Sequence, residues 1–294
     1  MGNTLYIADV FAEKKYQGNQ LAVIHCKETL SDVEMQRLAN EMHFSETSYI
    51  LSEEKRKGGY DVRIFTPQTE VPFAGHPTLG TAYVLQHEII RQPVNKIALN
   101  LKIGQIEVEL TYKKDRLNLL WMRQINPIFS QVIDPDSLSR VLNLNREEID
   151  DKFPIQEVST GLPFIIVPLK TLNALQNMEV TKDRYSKLTR NTQAKAIMFF
   201  CPQTCNPGKD LHARVFTYFY GMPEDPATGS ANGCLAGYLV KHRYYGKPEI
   251  DIRVEQGYEI SRPSLLYLRA KETEGRIDVS VGGKVILVAR GEIN

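Results

Sequence analysis

Arg214-Val-Phe-Thr-Tyr-Phe-Tyr-Gly-Met-Pro-Glu-Asp-Pro-Ala-Thr-Gly-Ser-Ala-Asn-Gly233 packs a strand, a polar turn and the start of a helix into twenty residues. It has an echo in Arg63-Ile-Phe-Thr-Pro-Gln-Thr-Glu-Val-Pro-Phe-Ala-Gly-His-Pro-Thr-Leu-Gly80. Both begin Arg-aliphatic-Phe-Thr, and both run on into matching helix bodies, Ala82 to His87 and Gly237 to His242, with a loop four residues longer in the second copy. Short repeats would build a solenoid; one recurrence at half the chain length points to two copies of a domain.

Each copy reads as an alternating apolar strand, Pro and Gly punctuation, then Gly75-His76-Pro77-Thr78 or Gly229-Ser230-Ala231-Asn232, then an amphipathic run. Pro77 suits the first helical position, where a missing N–H costs nothing, and small residues at 229–231 let a ligand approach the amides of a helix start. Two such starts would each offer donors and partial positive charge to a substrate carboxylate. The bland alternative is a pair of ordinary capped helices, with Asp225 as N-cap and Pro226 at the first helical position. Differences between the copies favour a site. His76 stands where the second copy has Ser230, and Asp225 has no acidic counterpart at the corresponding distance before Gly75.

The rest of the chain fits a duplicated α+β unit. Leu5 to Phe11 and Leu21 to Ile24 read as a hairpin, and Ser31-Asp-Val-Glu34 as a capping box opening a helix that ends near His43. A strand then begins near Glu46; its counterpart in the second half is Ala196 to Phe200, with no carboxylate where Glu46 falls. Glu46 is therefore a third asymmetric polar group, placed after a tight turn where side chains project into clefts. Three strands follow between Asn95 and Arg123, and Gln124 to Asp134 reads as a linker. Short helical pieces are expected at Ser137 to Val141 and Asn145 to Asp150. Strands are expected at Ile250 to Gln256, Ser264 to Ala270, Arg276 to Val281 and Val285 to Ala289. The implied domains are 1–125, with 285–294 as a candidate completing strand, and 126–284.

At 294 residues, 42% hydrophobic and 24% charged, the chain can bury two cores. Its net charge of +1 gives no electrostatic reason to bind nucleic acid or an anionic membrane. No stretch approaches the ~18 apolar residues of a membrane span, and no basic-then-apolar leader opens the sequence, so a cytoplasmic protein is expected. Cys26, Cys201, Cys205 and Cys234 are too few and too irregular for a disulfide framework. Cys201 and Cys205 precede His212, but no second Cys or His pair completes a tetrahedral zinc site, so reduced thiols and no metal are expected. There is no nucleotide-binding fingerprint and no lysine in either turn for a Schiff base, so no cofactor is expected either.

The sequence resembles the PhzF-like proteins of the phenazine-biosynthesis family over nearly its whole length. The resemblance rests on Asp9-Val-Phe with Gly18-Asn19, Phe44-Ser-Glu-Thr47, Arg63-Ile-Phe-Thr-Pro67, Glu70 with Pro72 to Thr78, Ser159 to Pro163, Glu224 to Ala231, and Glu255-Gln-Gly257 with Arg262-Pro-Ser264. It implies the diaminopimelate-epimerase-like fold: two pseudo-symmetric α+β halves, each a curved, mostly antiparallel sheet around a central helix, with the active site in the cleft between them. It also implies catalytic roles for Glu46, His76 and Asp225 and substrate contact at Ser230. Gln20 and Ser261 depart from the family's usual proline and glycine. The epimerase relative resembles a two-thiol machine, which this chain does not: Phe73 to Thr78 holds no cysteine and Cys234 lies one turn beyond Ser230.

The reading that follows is a cofactor-independent isomerase, phenazine-biosynthesis-like, that moves a proton between carbons of a small carboxylate-bearing metabolite. Glu46, His76 and Asp225 carry the chemistry, while Gly75, Pro77, Thr78, Gly229, Ser230 and Ala231 hold the substrate. A cytoplasmic homodimer is implied by the family. Two alternatives stand beside it: a hydrolase using Ser230 and His76, disfavoured because Ser230 lacks a Gly-x-Ser-x-Gly elbow, and a non-catalytic small-molecule-binding protein of the same fold.

Overall fold

The computed structural model describes residues 2–142 and 144–293, which divide into two compact units, Met1–Met122 with Gly282–Asn294, and Arg123–Val281. In the first unit β1 (Asn3–Val10) and β2 (Asn19–His25) form the expected hairpin. Helix α1 (Asp32–Met42) opens on a Ser31–Glu34 capping box and closes on His43 in the left-handed conformation, as the sequence predicts. Its Met35 and Ala39 pack with Ile24, Tyr49 and Phe65, and burying a side chain of this size contributes about 1.5–3 kcal/mol. The chain then enters β3 (Thr47–Ile50), β4 (Tyr60–Phe65), β5 (Glu70–Val71) and α2 (Gly75–Val84), which runs into a π-helical turn over Leu85–Ile90. Strands β6 (Lys96–Leu101), β7 (Gly104–Lys113) and β8 (Arg116–Arg123) follow.

The second unit repeats this order. β9 (Ile128–Ile133) occupies the stretch expected to be a linker, followed by α3 (Pro135–Leu142), β10 (Ile155–Ser159), β11 (Pro163–Pro168), α4 (Leu172–Asn177) and α5 (Lys182–Thr189). Then come β12 (Ala196–Cys201), β13 (Leu211–Thr217), β14 (Met222–Asp225), α6 (Gly229–Lys241), β15 (Glu249–Gln256), β16 (Ser264–Thr273) and β17 (Arg276–Gly283), and finally β18 (Val285–Ile293).

Pairing makes the duplication exact in kind. β1–β2, β3–β4, β4–β5 and β6–β7 are antiparallel while β2–β3 and β4–β6 are parallel. Their counterparts β10–β11, β12–β13, β13–β14, β15–β16, β11–β12 and β13–β15 have the same senses. β1 takes an outer antiparallel partner in β18, and β10 takes one in β9. In the first unit both β18 and β7 reach α2, and in the second both β10 and β16 reach α6, so each sheet curves around its helix. The α+β class, the mostly antiparallel sheets and the central helices are as expected. One detail is corrected. α2 and α6 are buried on nearly every side and not amphipathic, because the sheet surrounds them. Gly80 shows how closely: a Cβ there would lie 2.4 Å from Leu21 and 2.9 Å from Val10.

Candidate active site

In the first unit, the left-handed His43 turns the chain out of α1, and Glu46 is the last residue before β3. The parallel register Ala22↔Thr47 sets the start of β3 beside β2, and α2 packs on both strands. His76, second residue of α2, thereby meets Glu46, with Nε2 3.5 Å from Oε2. His76 is buried, and burial pushes its pKa down to about 3 against a smaller opposing pull from a hydrogen bond to the Gln20 main chain. The ring is therefore neutral at physiological pH. With one ring nitrogen donating to the Gln20 carbonyl, Nε2 faces Glu46 with its lone pair, an arrangement able to accept a hydrogen bond from a protonated carboxyl. The partner at position 20 is a main-chain group, so the Gln20 departure leaves this contact intact.

In the second unit, Asp225 ends β14 opposite Val215, and its Oδ2 accepts the Thr228 hydroxyl at 2.5 Å. Gln256 at the end of β15 donates to the Asp225 carbonyl at 2.8 Å and to Thr228 Oγ1 at 3.0 Å. Its own Oε1 accepts from Asn232 in the first turn of α6 at 2.9 Å. Gly257 follows at φ 78°, and a Cβ there would meet the Pro226 carbonyl at 2.5 Å. The turn that carries Asp225 is thus clamped from two elements. Thr228, Asn232 and Gln256 do the clamping, and the sequence assigns them no role; the signals were their places in the Glu224 to Ala231 motif, the Gly229 to Asn232 helix start and the Glu255-Gln-Gly257 motif.

The helix begins at Gly229 with Thr228 as N-cap, so the reading with Asp225 as cap and Pro226 as first helical residue is incorrect. Pro77 is the third helical residue, not the first, still within the turn whose amides have no intrahelical acceptor. His76 and Ser230 are each the second residue of their helix, and neither helix has a side-chain cap. Gly75 and Ser230 are half-buried; Pro77, Thr78, Gly229 and Ala231 are buried, and the Thr78 hydroxyl donates back to the Ala74 carbonyl at 2.7 Å. Cys234 is buried beside Thr160, and burial pushes its thiol pKa up to about 12, which denies it thiolate chemistry at neutral pH.

Residues 8–291 match the sequence model of the family described as phenazine biosynthesis-like protein. The chain belongs to this family. A trans-2,3-dihydro-3-hydroxyanthranilate isomerase of Pseudomonas aeruginosa is 33% identical to this family member, over 97% of each chain. A crystal structure of a PhzF-family phenazine biosynthesis protein from Bacillus anthracis superposes with a TM-score of 0.90 at 25% identity over both whole chains. A probable proline racemase of Agrobacterium radiobacter, at 9% identity and a TM-score of 0.62 over 99% of this chain and 93% of its own, shares the fold alone. Like its relatives, this phenazine biosynthesis-like protein is an isomerase, and its substrate is a small molecule. Among its described residues no helix is long and apolar enough to cross a membrane.

Proposed function

We propose that this isomerase moves a proton between carbons of one small carboxylate-bearing substrate without a cofactor, and that Glu46 is the shuttle. The observation that carries the reading is the Glu46–His76 contact, a carboxyl group against the acceptor nitrogen of an imidazole that burial keeps neutral. A carboxyl so placed can receive a proton from one carbon and return it to another, provided bulk water is excluded between the steps. His76 holds the side chain in line and takes part in proton movement. Asp225, fixed by Thr228 and Gln256, and the α6 amides at Gly229 and Ser230 orient the substrate and its carboxylate. The name of the Pseudomonas relative suggests the class of the substrate, a partly unsaturated ring carboxylate bearing amino and hydroxyl groups. The hydrolase alternative is disfavoured because Ser230 lacks a Gly-x-Ser-x-Gly elbow.

The test uses trans-2,3-dihydro-3-hydroxyanthranilate in deuterated water. Glu46→Gln keeps the shape but cannot carry a proton, so turnover falls by at least ~10²–10⁴-fold with KM little changed. Asp225→Asn lowers the same rate. A Glu46→Gln protein that retains the wild-type rate removes Glu46 from the mechanism. The family resemblance also supports a cytoplasmic homodimer, and a monomeric mass by light scattering at micromolar concentration would overturn the dimer.

A further inference from the structure

We propose that Cys205, His212 and Glu255 form a binding site for one zinc ion, separate from the residues assigned to the isomerase reaction. Zinc was discounted from sequence because Cys201, Cys205 and His212 lack a further Cys or His pair. The fold supplies a carboxylate instead. β13 and β15 run parallel in the register His212↔Glu255, and the loop between β12 and β13 brings Cys205 over the pair. The three donor atoms lie within 4.8 Å of one another. His212 Nδ1 is 3.7 Å from the Cys205 Sγ and 3.1 Å from Glu255 Oε2. Donors tetrahedrally arranged at zinc's usual bond lengths are about 3.3–3.5 Å apart, and both separations from His212 Nδ1 lie within a few tenths of an ångström of that range.

The surroundings match those of a metal site. A metal-binding histidine ordinarily donates its remaining N–H to a carboxylate, and His212 Nε2 is 3.0 Å from Glu259 Oε1, with Arg214 4.0 Å from the other oxygen of Glu259. Glu255 is oriented through Oε1 by the Asn206 amide and side chain and by the Tyr258 hydroxyl, and through Oε2 by the Cys205 amide. Apart from the Gln176 side chain donating to its sulfur, Cys205 is exposed, which gives an ion a way in and leaves a fourth position for water. Zinc binding displaces any proton on His212 Nδ1 and the thiol proton of Cys205, and the displaced protons pass to solvent. A mixed thiolate, imidazole and carboxylate set suits zinc better than magnesium or calcium, which prefer oxygen alone.

The experiment is equilibrium dialysis of chelator-treated, thiol-reduced protein against zinc, with cobalt(II) as an optical probe of the same site. The expected result is one ion per chain, a thiolate-to-cobalt charge-transfer band and a higher thermal midpoint with zinc. Cys205→Ala, at an exposed position, leaves the metal-free midpoint unchanged, abolishes the band and weakens binding by more than ~100-fold. Glu259→Gln, which removes only the orienting carboxylate, weakens it by ~10–100-fold. Absence of saturable binding in the wild type, or undiminished binding by Cys205→Ala, overturns the proposal.

Discussion

Ser261 adopts φ 58°, the left-handed region, directly before Arg262, whose amide closes a turn onto the Gly257 carbonyl. This explains why glycine is usual there. The conformation costs a side-chain-bearing residue ~1–2 kcal/mol, and glycine's extra unfolded-state freedom returns ~0.5–1, so Ser261→Gly is expected to stabilise by about 0.5–1 kcal/mol in urea titration. His76 gives the opposite kind of strain. Above pH 6.5 it is neutral folded or unfolded and contributes nothing. As pH falls from 6.5 towards about 3, the unfolded chain binds a proton the buried ring refuses, so stability is lost at roughly 1.4 kcal/mol per pH unit. Urea midpoints of His76→Gln should therefore fall less steeply than those of the wild type between pH 6.5 and 4; parallel slopes would contradict the buried neutral ring. Glu46, His76, Asp225 and Ser230 were legible as candidates because the two halves differ at them. Thr228, Asn232, Gln256 and Glu255 were not, because their partners depend on strand register between segments distant in sequence.

The repeated Arg-aliphatic-Phe-Thr element has a physical purpose in both copies. Arg63 grips Glu70 through two hydrogen bonds of 2.9 and 3.0 Å, Arg214 grips Glu224 through two of 2.9 and 2.7 Å, and each guanidinium lies 5.0 Å from the ring of its own Phe. The fork ties β4 to β5 and β13 to β14, and so anchors the chain leading to each helix. The two differ in exposure: Arg214 and Glu224 side chains are 9% and 7% exposed, Arg63 and Glu70 25% and 19%. Glu224→Gln leaves a buried cation with only the more distant Glu259 carboxylate, 4.0 Å away, and should cost about 3 kcal/mol, whereas Glu70→Gln, still near water and with Asp32 at hand, should cost about 1. Equal losses on chemical denaturation would refute the distinction. Elements with strong local signals, such as the α1 capping box, were readable from sequence. β9 was missed because its residues are mostly exposed and do not alternate, and α2 and α6 were misread as amphipathic because only the surrounding sheet buries their second face.

At the scale of the molecule, the duplication was legible because two motif copies recur at half the chain length, while the matching strand senses and the outer strands β18 and β9 emerge only from pairing between remote segments. One of those outer strands governs the order of assembly during translation. β1 leaves the ribosome before the rest of its unit, yet its partner β18 is made after all of Arg123–Val281. The second unit is continuous in sequence, including its own outer strand, so it can complete its sheet on the nascent chain while the first waits with one side of β1 open. An unpaired strand of this kind invites association with other chains and is a natural client for a holding chaperone. Ribosome-bound chains stalled with β17 emerged should accordingly resist limited proteolysis across the second unit before the first, and protection of the first unit should arrive only with β18: the half synthesised first is finished last.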